Sequence, residues 1–322
     1  MDKHHDLLNL LRCHSTPGDE DEVRSYLTSR WDKAGLKIKQ HGQYAVSARL
    51  NKPDKSAPTI LVCAHMDSPG YIVEQIYDNK LKIIKLGGPY FSSESVDGVI
   101  KTKSGKVKIR IERYQDDDLK EHYLIDHQSS VDHGDRVCFD ADPKIDAQGL
   151  VVSPFLDNRI GCSILCDLAA DKDFLTDVPG NLVLGATACE EVGCIGAMVL
   201  AKAIEPDFVI CLDATYENLQ QNVIMGEGPV LTLSDASLIL NPKVRDKIRD
   251  LMQRNDIPLQ TEVYNYSGTD AKAFPLVGLH CPVIALLIAS TGNHTPREMA
   301  STHDILTLTR AIKVMVNTVD SW

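Results

Sequence analysis

A chain of 322 residues, 43% hydrophobic and 25% charged, is long enough to bury a large core and too apolar to stay disordered. Forty-five acidic against thirty-four basic residues leave a formal charge of −11, which argues against a nucleic-acid surface or an anionic membrane as main partner. The longest apolar stretch near the C-terminus, "CPVIALLIAS", is about half of what a membrane-spanning helix requires, so no membrane span is expected.

Leucine, valine and tyrosine recur at helical spacing over residues 2–12 and 19–31, with Ser15, Thr16 and an acidic first turn marking the second start. "LKIKQH" and "YAVSARL" follow. Then comes "APTILVCAH", whose continuous β-branched core predicts a fully buried strand. From Ser68 the texture changes to short alternating stretches punctuated by Asp78-Asn79, Ser104-Gly105 and Gly134-Asp135, without helical period. Residues 68–150 therefore read as a small all-β domain, a barrel, inserted into an α/β domain made of residues 1–67 and 151–322. Beyond Ser153 helices are expected over 158–170, 195–203, 242–254 and 304–319, with strands at "NLVLGATA", "DFVICLDA" and "PVIALLI". This alternation predicts a mostly parallel central sheet with helices on both faces. The nine cysteines are odd in number, form no Cys-x-x-Cys pair and follow no secretory leader, which predicts a reducing cytoplasm.

In such sheets ligands gather at the carboxyl ends of the strands. "ILVCAH" ends on His65, with Asp67 two residues on; "VVSPFLDNR" delivers Asp157; "LVLGATACEE" delivers Glu190 and Glu191; "FVICLD" delivers Asp213; "VIALLIASTGNH" delivers His294. One carboxylate beside a helix start has an ordinary explanation in the helix dipole, and a lone histidine is usually a core residue. Five converging endings do not, because unpaired carboxylates at low dielectric repel each other and require positive charge. Two divalent cations meet that requirement and would bring −11 to −7. Two histidines with several carboxylates suit Zn²⁺, Co²⁺ or Mn²⁺, and the absence of cysteine ligands argues against a structural zinc. Adjacent glutamates on an alternating strand cannot play one part, so one of the pair is expected to bind metal and the other to act as a base.

The sequence resembles the M42 family of dinuclear metal aminopeptidases, which includes tetrahedral, deblocking and glutamyl aminopeptidases. The resemblance rests on "AHMD" at 64–67, "LDNRIG" at 156–161, "EEVGCIGA" at 190–197, "CLDAT" at 211–215, "GTDA" at 268–271 and "HTPRE" at 294–298, in this order and spacing. It implies a phosphorylase/hydrolase-like zinc peptidase fold with an inserted barrel, and two divalent ions per subunit, Zn²⁺ or Co²⁺ or else Mn²⁺. By the same resemblance His65, Asp157 and Asp213 hold one ion and Asp157, Glu191 and His294 the other, Asp67 orients His65, and Glu190 is the general base that deprotonates a bridging water. Peptides are the implied substrates, and self-association to a dodecamer through the barrel is implied as well. Thr269 and Asp270 either line the substrate cleft, as the family's counterpart does, or cap a helix.

His303 in "STHDI" reads as part of the last helix's cap, and His294 is preferred as ligand; Thr295 and Glu298 are expected to form a capping box with Pro296 as first helical residue. The chain departs from the family at Thr291-Gly292-Asn293, where an Arg-Tyr pair is usual, and at Ser68, where glutamate is common. Rival readings are a deacylase or carboxypeptidase using the same ions, an endoglucanase as some family members are labelled, and an inactive metal-stabilised assembly protein. The constellation lacks the two-carboxylate arrangement of a glycosidase.

Overall fold

A computed structural model describes residues 4–50, 56–126, 130–236 and 238–318. Helices α1 (His5–Leu11) and α2 (Asp21–Lys33) lead into β1 (Lys37–His41), β2 (Ala45–Arg49) and β3 (Thr59–His65). The insert follows as β4 (Gly70–Ile76), β5 (Lys80–Leu86), β6 (Ser95–Thr102), β7 (Gly105–Gln115), β8 (Glu121–Asp126) and β9 (Arg136–Phe139). The chain returns through β10 (Lys144–Ile145), β11 (Leu150–Ser153), α3 (Leu156–Ala170), α4 (Lys172–Asp177), β12 (Asn181–Thr187), α5 (Ile195–Ile204) and β13 (Phe208–Tyr216). It finishes with β14 (Val230–Asp235), α6 (Pro242–Arg254), β15 (Gln260–Tyr264), α7 (Ala273–Leu276), β16 (Val283–Thr291), β17 (Glu298–Ser301) and α8 (Thr302–Asn317).

The continuous apolar strands occupy the centre of the sheet in the order β12-β3-β13-β16, all parallel. Residues 60–65 of β3 and 283–290 of β16 are all buried, as expected where helices cover both faces. Antiparallel pairings extend the parallel core: β1-β2 beyond β12, β17-β11-β10 beyond β16, and β14 on β16, where β14 in turn carries β15 in parallel. The sheet is therefore mixed. Short connections reverse the chain at β1-β2, β10-β11 and β16-β17, as only antiparallel neighbours allow, whereas β15 lies parallel to β14.

Among the described residues the insert closes into an antiparallel barrel, β4-β5-β8-β7-β6-β9. Its core is aromatic: Phe91 meets Tyr123 and Phe139 edge-on at 5.9 and 6.2 Å between ring centroids. The barrel ends at Phe139, earlier than the predicted bound at 150, because Lys144 and Ile145 pair with Val152 and Val151 in the large sheet. Helix α6 covers 242–254 as predicted, and α3, α5 and α8 fall within two residues of their predicted bounds. Ser15 caps no helix; its hydroxyl donates to the Met66 carbonyl at 2.7 Å and ties the N-terminal segment to the loop after β3. Strands β14 and β15 were not predicted. No described helix is long and apolar enough to cross a membrane.

Candidate metal centre and active site

Five segments bring their ligand-type side chains to one end of the parallel core. His65 Nε2 lies 3.1 Å from Asp157 Oδ1 and 3.3 Å from Asp213 Oδ1. His294 Nε2 lies 3.4 Å from Asp157 Oδ2 and 3.4 Å from Glu191 Oε1. The two oxygens of Asp157 thus face two different histidines. Ligand atoms held tetrahedrally at ~2.1 Å from a metal lie ~3.4 Å apart, so these separations match a divalent ion placed within each group. Asp157 Oδ1 is buried and makes no hydrogen bond, which leaves its lone pairs to a cation, as the fit of a metal there requires. His65, Asp157 and Glu191 also offer ligand atoms within 4.8 Å of one another.

The electrostatics of these groups favour bound positive charge. Burial pushes the Glu190 carboxyl up to about 8, with Asp213, Asp270 and Asp67 adding like charge, and pushes Asp213 up to about 7, with Asp157 adding to it. Burial also lifts Glu191 well above the carboxylate range. Despite burial, the imidazoles of His294 and His65 hold Asp157 well below that range. His294 is raised to about 10, since Asp157 and Glu191 outweigh its burial, and Asp213 and Asp157 raise His65 in the same way. Protons on these groups occupy the electrostatic role that metal cations would take.

Asp67 is fully buried and does two things. Its backbone carbonyl lies 3.0 Å from His65 Nδ1, whereas its carboxylate is 3.8 Å from that nitrogen. The carboxylate instead accepts the backbone N–H groups of Glu190 at 3.0 Å and Glu191 at 3.1 Å. The two glutamates diverge from there. Glu191 faces His294, and Glu190 Oε1 accepts the Cys194 thiol at 3.1 Å on the α5 side.

Glu298 was not predicted at the site. Its carboxylate accepts the N–H of His294 at 2.9 Å and the N–H of Asp157 at 3.1 Å, joining the two segments. The predicted capping box is absent: residues 294–297 form a loop, β17 starts at Glu298, and the buried glutamate is committed to those two donors rather than to a helix start. Thr295 closes the loop by donating to the Gly292 carbonyl at 2.6 Å. His303 is exposed in the first turn of α8, its N–H bound to Ser301 Oγ, as expected of a cap residue. Ser68, at a position where the family commonly has glutamate, donates to the Asp157 carbonyl at 2.7 Å and accepts from the buried Arg159 at 3.1 Å.

Thr269 reaches the cleft and also caps the turn after it by accepting the Ala271 N–H. Asp270 turns inward, against the expectation that it lines the cleft, because its carboxylate bonds the Thr187 hydroxyl behind Glu190 and Cys194. The insert also contributes. Tyr90 N–H donates to the His294 carbonyl at 2.9 Å. A Cβ on Gly88 would stand 3.2 Å from His294 Nδ1, and one on Gly87, at φ +69°, would stand 3.1 Å from Glu191 Cβ. The metal-centre residues open onto a cleft of about 410 Å³.

The family described as M42 glutamyl aminopeptidase matches residues 45–310 of this chain. The chain is 28% identical to the glutamyl aminopeptidase of Lactococcus lactis subsp. cremoris, covering 96% of this chain and 95% of that one. Its fold is similar to that of a TET aminopeptidase from the marine sediment archaeon Thaumarchaeota archaeon SCGC AB-539-E09, with a TM-score of 0.90 at 22% identity over 98% of this chain and 97% of the other. It is also similar to the Pyrococcus horikoshii TET1 peptidase, described as assembling into a tetrahedron or a large octahedral shell, with a TM-score of 0.86 at 22% identity over 98% and 99% of the two chains. The order of motifs, the shared fold and the match across most of its length agree: this chain belongs to the M42 family of metal-dependent aminopeptidases, hydrolases of peptide bonds.

Proposed function

We propose that the chain removes N-terminal residues from peptides at a two-ion centre, with His65 and Asp213 on one side, Glu191 and His294 on the other, and Asp157 shared between them. The observation that carries this reading is the pair of Asp157 oxygens, each facing its own histidine, with Glu190 left out of both groups. Two divalent ions bound there supply Lewis acidity at the scissile carbonyl and make a water acidic near neutral pH. Glu190 takes the proton of the attacking water on its carboxylate and returns it to the departing amine nitrogen. Cys194 donates to one Glu190 oxygen and Asp67 holds its backbone, so the acid is oriented before substrate arrives. Imidazole and carboxylate donors without a thiolate favour Zn²⁺, Co²⁺ or Mn²⁺.

The test is activity of metal-stripped protein on aminoacyl-p-nitroanilides with Zn²⁺, Co²⁺ and Mn²⁺ restored singly, together with Glu190→Gln. The variant should keep its metal and lose turnover by about 10²- to 10⁴-fold. Turnover like that of the parent would dismiss Glu190 as the proton carrier. Cleavage of N-acetylated peptides in preference to unblocked ones would move the reading to a deacylase. Shell assembly by the Pyrococcus horikoshii neighbour supports self-association of this chain as well, and the dodecamer that the resemblance implies would have twelve times its 35.6 kDa mass, which mass photometry reads directly. Nine free cysteines, all of them within the apolar core or packed against it, support a reducing cytoplasm as the working compartment.

A further inference from the structure

One face of the sheet connects the metal centre to a second acidic position. Asp213 and Thr215 are two residues apart on β13 and so point the same way. Register pairs Asp213 with Leu287, Leu287 with Val230, and Thr232 with Glu262, which puts Thr232 and Glu262 on that same face. All five of Asp213, Thr215, Leu287, Thr232 and Glu262 line the cleft.

Glu262 is 5% exposed, yet its charge has no cation among the described residues. The Thr215 hydroxyl donates to its Oε2 at 2.7 Å and the Thr232 hydroxyl to its Oε1 at 2.9 Å. A carboxylate offers about four lone-pair sites, so two neutral donors fix its orientation and leave acceptor capacity. Asp235 also lines the cleft, and its charge opposes that of Glu262. A buried carboxylate lining a desolvated cleft is held at an electrostatic cost that an arriving ammonium or guanidinium group removes. The spacing suits a long side chain, since Thr215, which holds Glu262, is ~6.6 Å along the strand from Asp213. Rings of Tyr216 and Tyr264, 6.1 Å apart, give an aliphatic stem an apolar wall.

We propose that Glu262, oriented by Thr215 and Thr232 and reinforced by Asp235, selects substrates whose N-terminal residue carries a cationic side chain, lysine or arginine. This rests on the aminopeptidase reading and adds a substrate class to it. Lys272, the other charged side chain of the cleft outside the metal centre, acts electrostatically on Cys194, which bonds Glu190. It would favour an acidic side chain instead, so Glu262 and Lys272 make opposite forecasts.

The experiment compares kcat/KM of the metal-loaded enzyme on lysyl-, arginyl-, leucyl- and glutamyl-p-nitroanilide. The lysyl and arginyl substrates should lead the leucyl by on the order of 10-fold, and the glutamyl should be the poorest. Glu262→Gln should cut the lysyl-to-leucyl ratio by on the order of 10- to 100-fold, the loss of one charge-assisted contact, and Asp235→Asn should cut it less. A leucyl or glutamyl preference in the parent enzyme overturns the assignment while leaving the peptidase intact, and so does a ratio unmoved in both variants. Loss of a glutamyl preference in Lys272→Met would transfer the role to Lys272. No turnover on any of the four substrates, with metal bound, removes the aminopeptidase reading and this selectivity together. The parent comparison needs no variant, so misfolding of Glu262→Gln does not shield the idea.

Discussion

The carboxylate of Asp67 accepts the backbone N–H of Glu190 at 3.0 Å, so the residue that closes the first histidine motif sets the position of the acid proposed to move the proton. Asp67 also takes the next N–H, that of Glu191, and touches His65 through its main chain. Replacing it by asparagine would set an amide donor against one of those N–H groups. Asp67→Asn should lower kcat by about 10- to 100-fold and weaken metal binding, while KM moves little. Steady-state kinetics alongside elemental analysis of the bound metal separates the two effects.

His294 faces Asp157 and Glu191, whereas His303 is exposed on α8. His294→Ala should therefore lose about half of the metal bound at saturation and nearly all activity, and His303→Ala should lose neither. Metal-to-protein ratios for the two variants check this directly.

The pH dependence of the metal-stripped protein has a definite sign. Glu190 is raised to about 8, Asp213 to about 7 and His294 to about 10, so each holds its proton more tightly folded than unfolded. Such groups contribute stability fully below their unfolded pKa values and lose it as pH rises through the folded ones. The stripped protein should thus lose stability from about pH 5 to pH 8 and beyond, whereas the depressed Asp157 acts only in more acidic solution. Metal replaces the departing protons, so the Tm gap between metal-loaded and stripped protein should widen from pH 5.5 to pH 8. A gap that narrows over this interval would contradict the arrangement.

Glu298 supports the centre through main-chain donors only. Glu298→Ala leaves the N–H groups of His294 and Asp157 buried without acceptors, at a cost of about 2 to 4 kcal/mol. Denaturant unfolding of the metal-free variant measures that loss, and weakened metal retention should accompany it.

Legibility in the sequence followed the physics of each part. The parallel core was readable because β3, β12, β13 and β16 are buried along nearly their whole length, and a buried strand is written as an unbroken apolar run. The convergence of His65, Asp157, Glu191, Asp213 and His294 was readable because those runs stop at charged residues. Strands β14 and β15 were hidden, since Thr232, Ser234, Gln260 and Glu262 line or flank a polar cleft and interrupt any apolar signal. Glu298 was misread because "TPRE" carries a local helix-start pattern, while one of its two donors, Asp157, lies 141 positions earlier in the chain. Asp67 was recognised in its place but its main partners were not, for backbone donors leave no trace in side-chain identity.

The insert's tip at Gly87 and Gly88 lies against Glu191 and His294 with no side chain between. An exchange of this barrel with that of another family member would then reach the site itself: unless two residues without Cβ atoms came with it, the graft would press on the histidine and its carboxylate partner. The insert is thereby tied to the geometry of the candidate metal centre, and a bulkier residue at either glycine should show its damage first as poor metal retention.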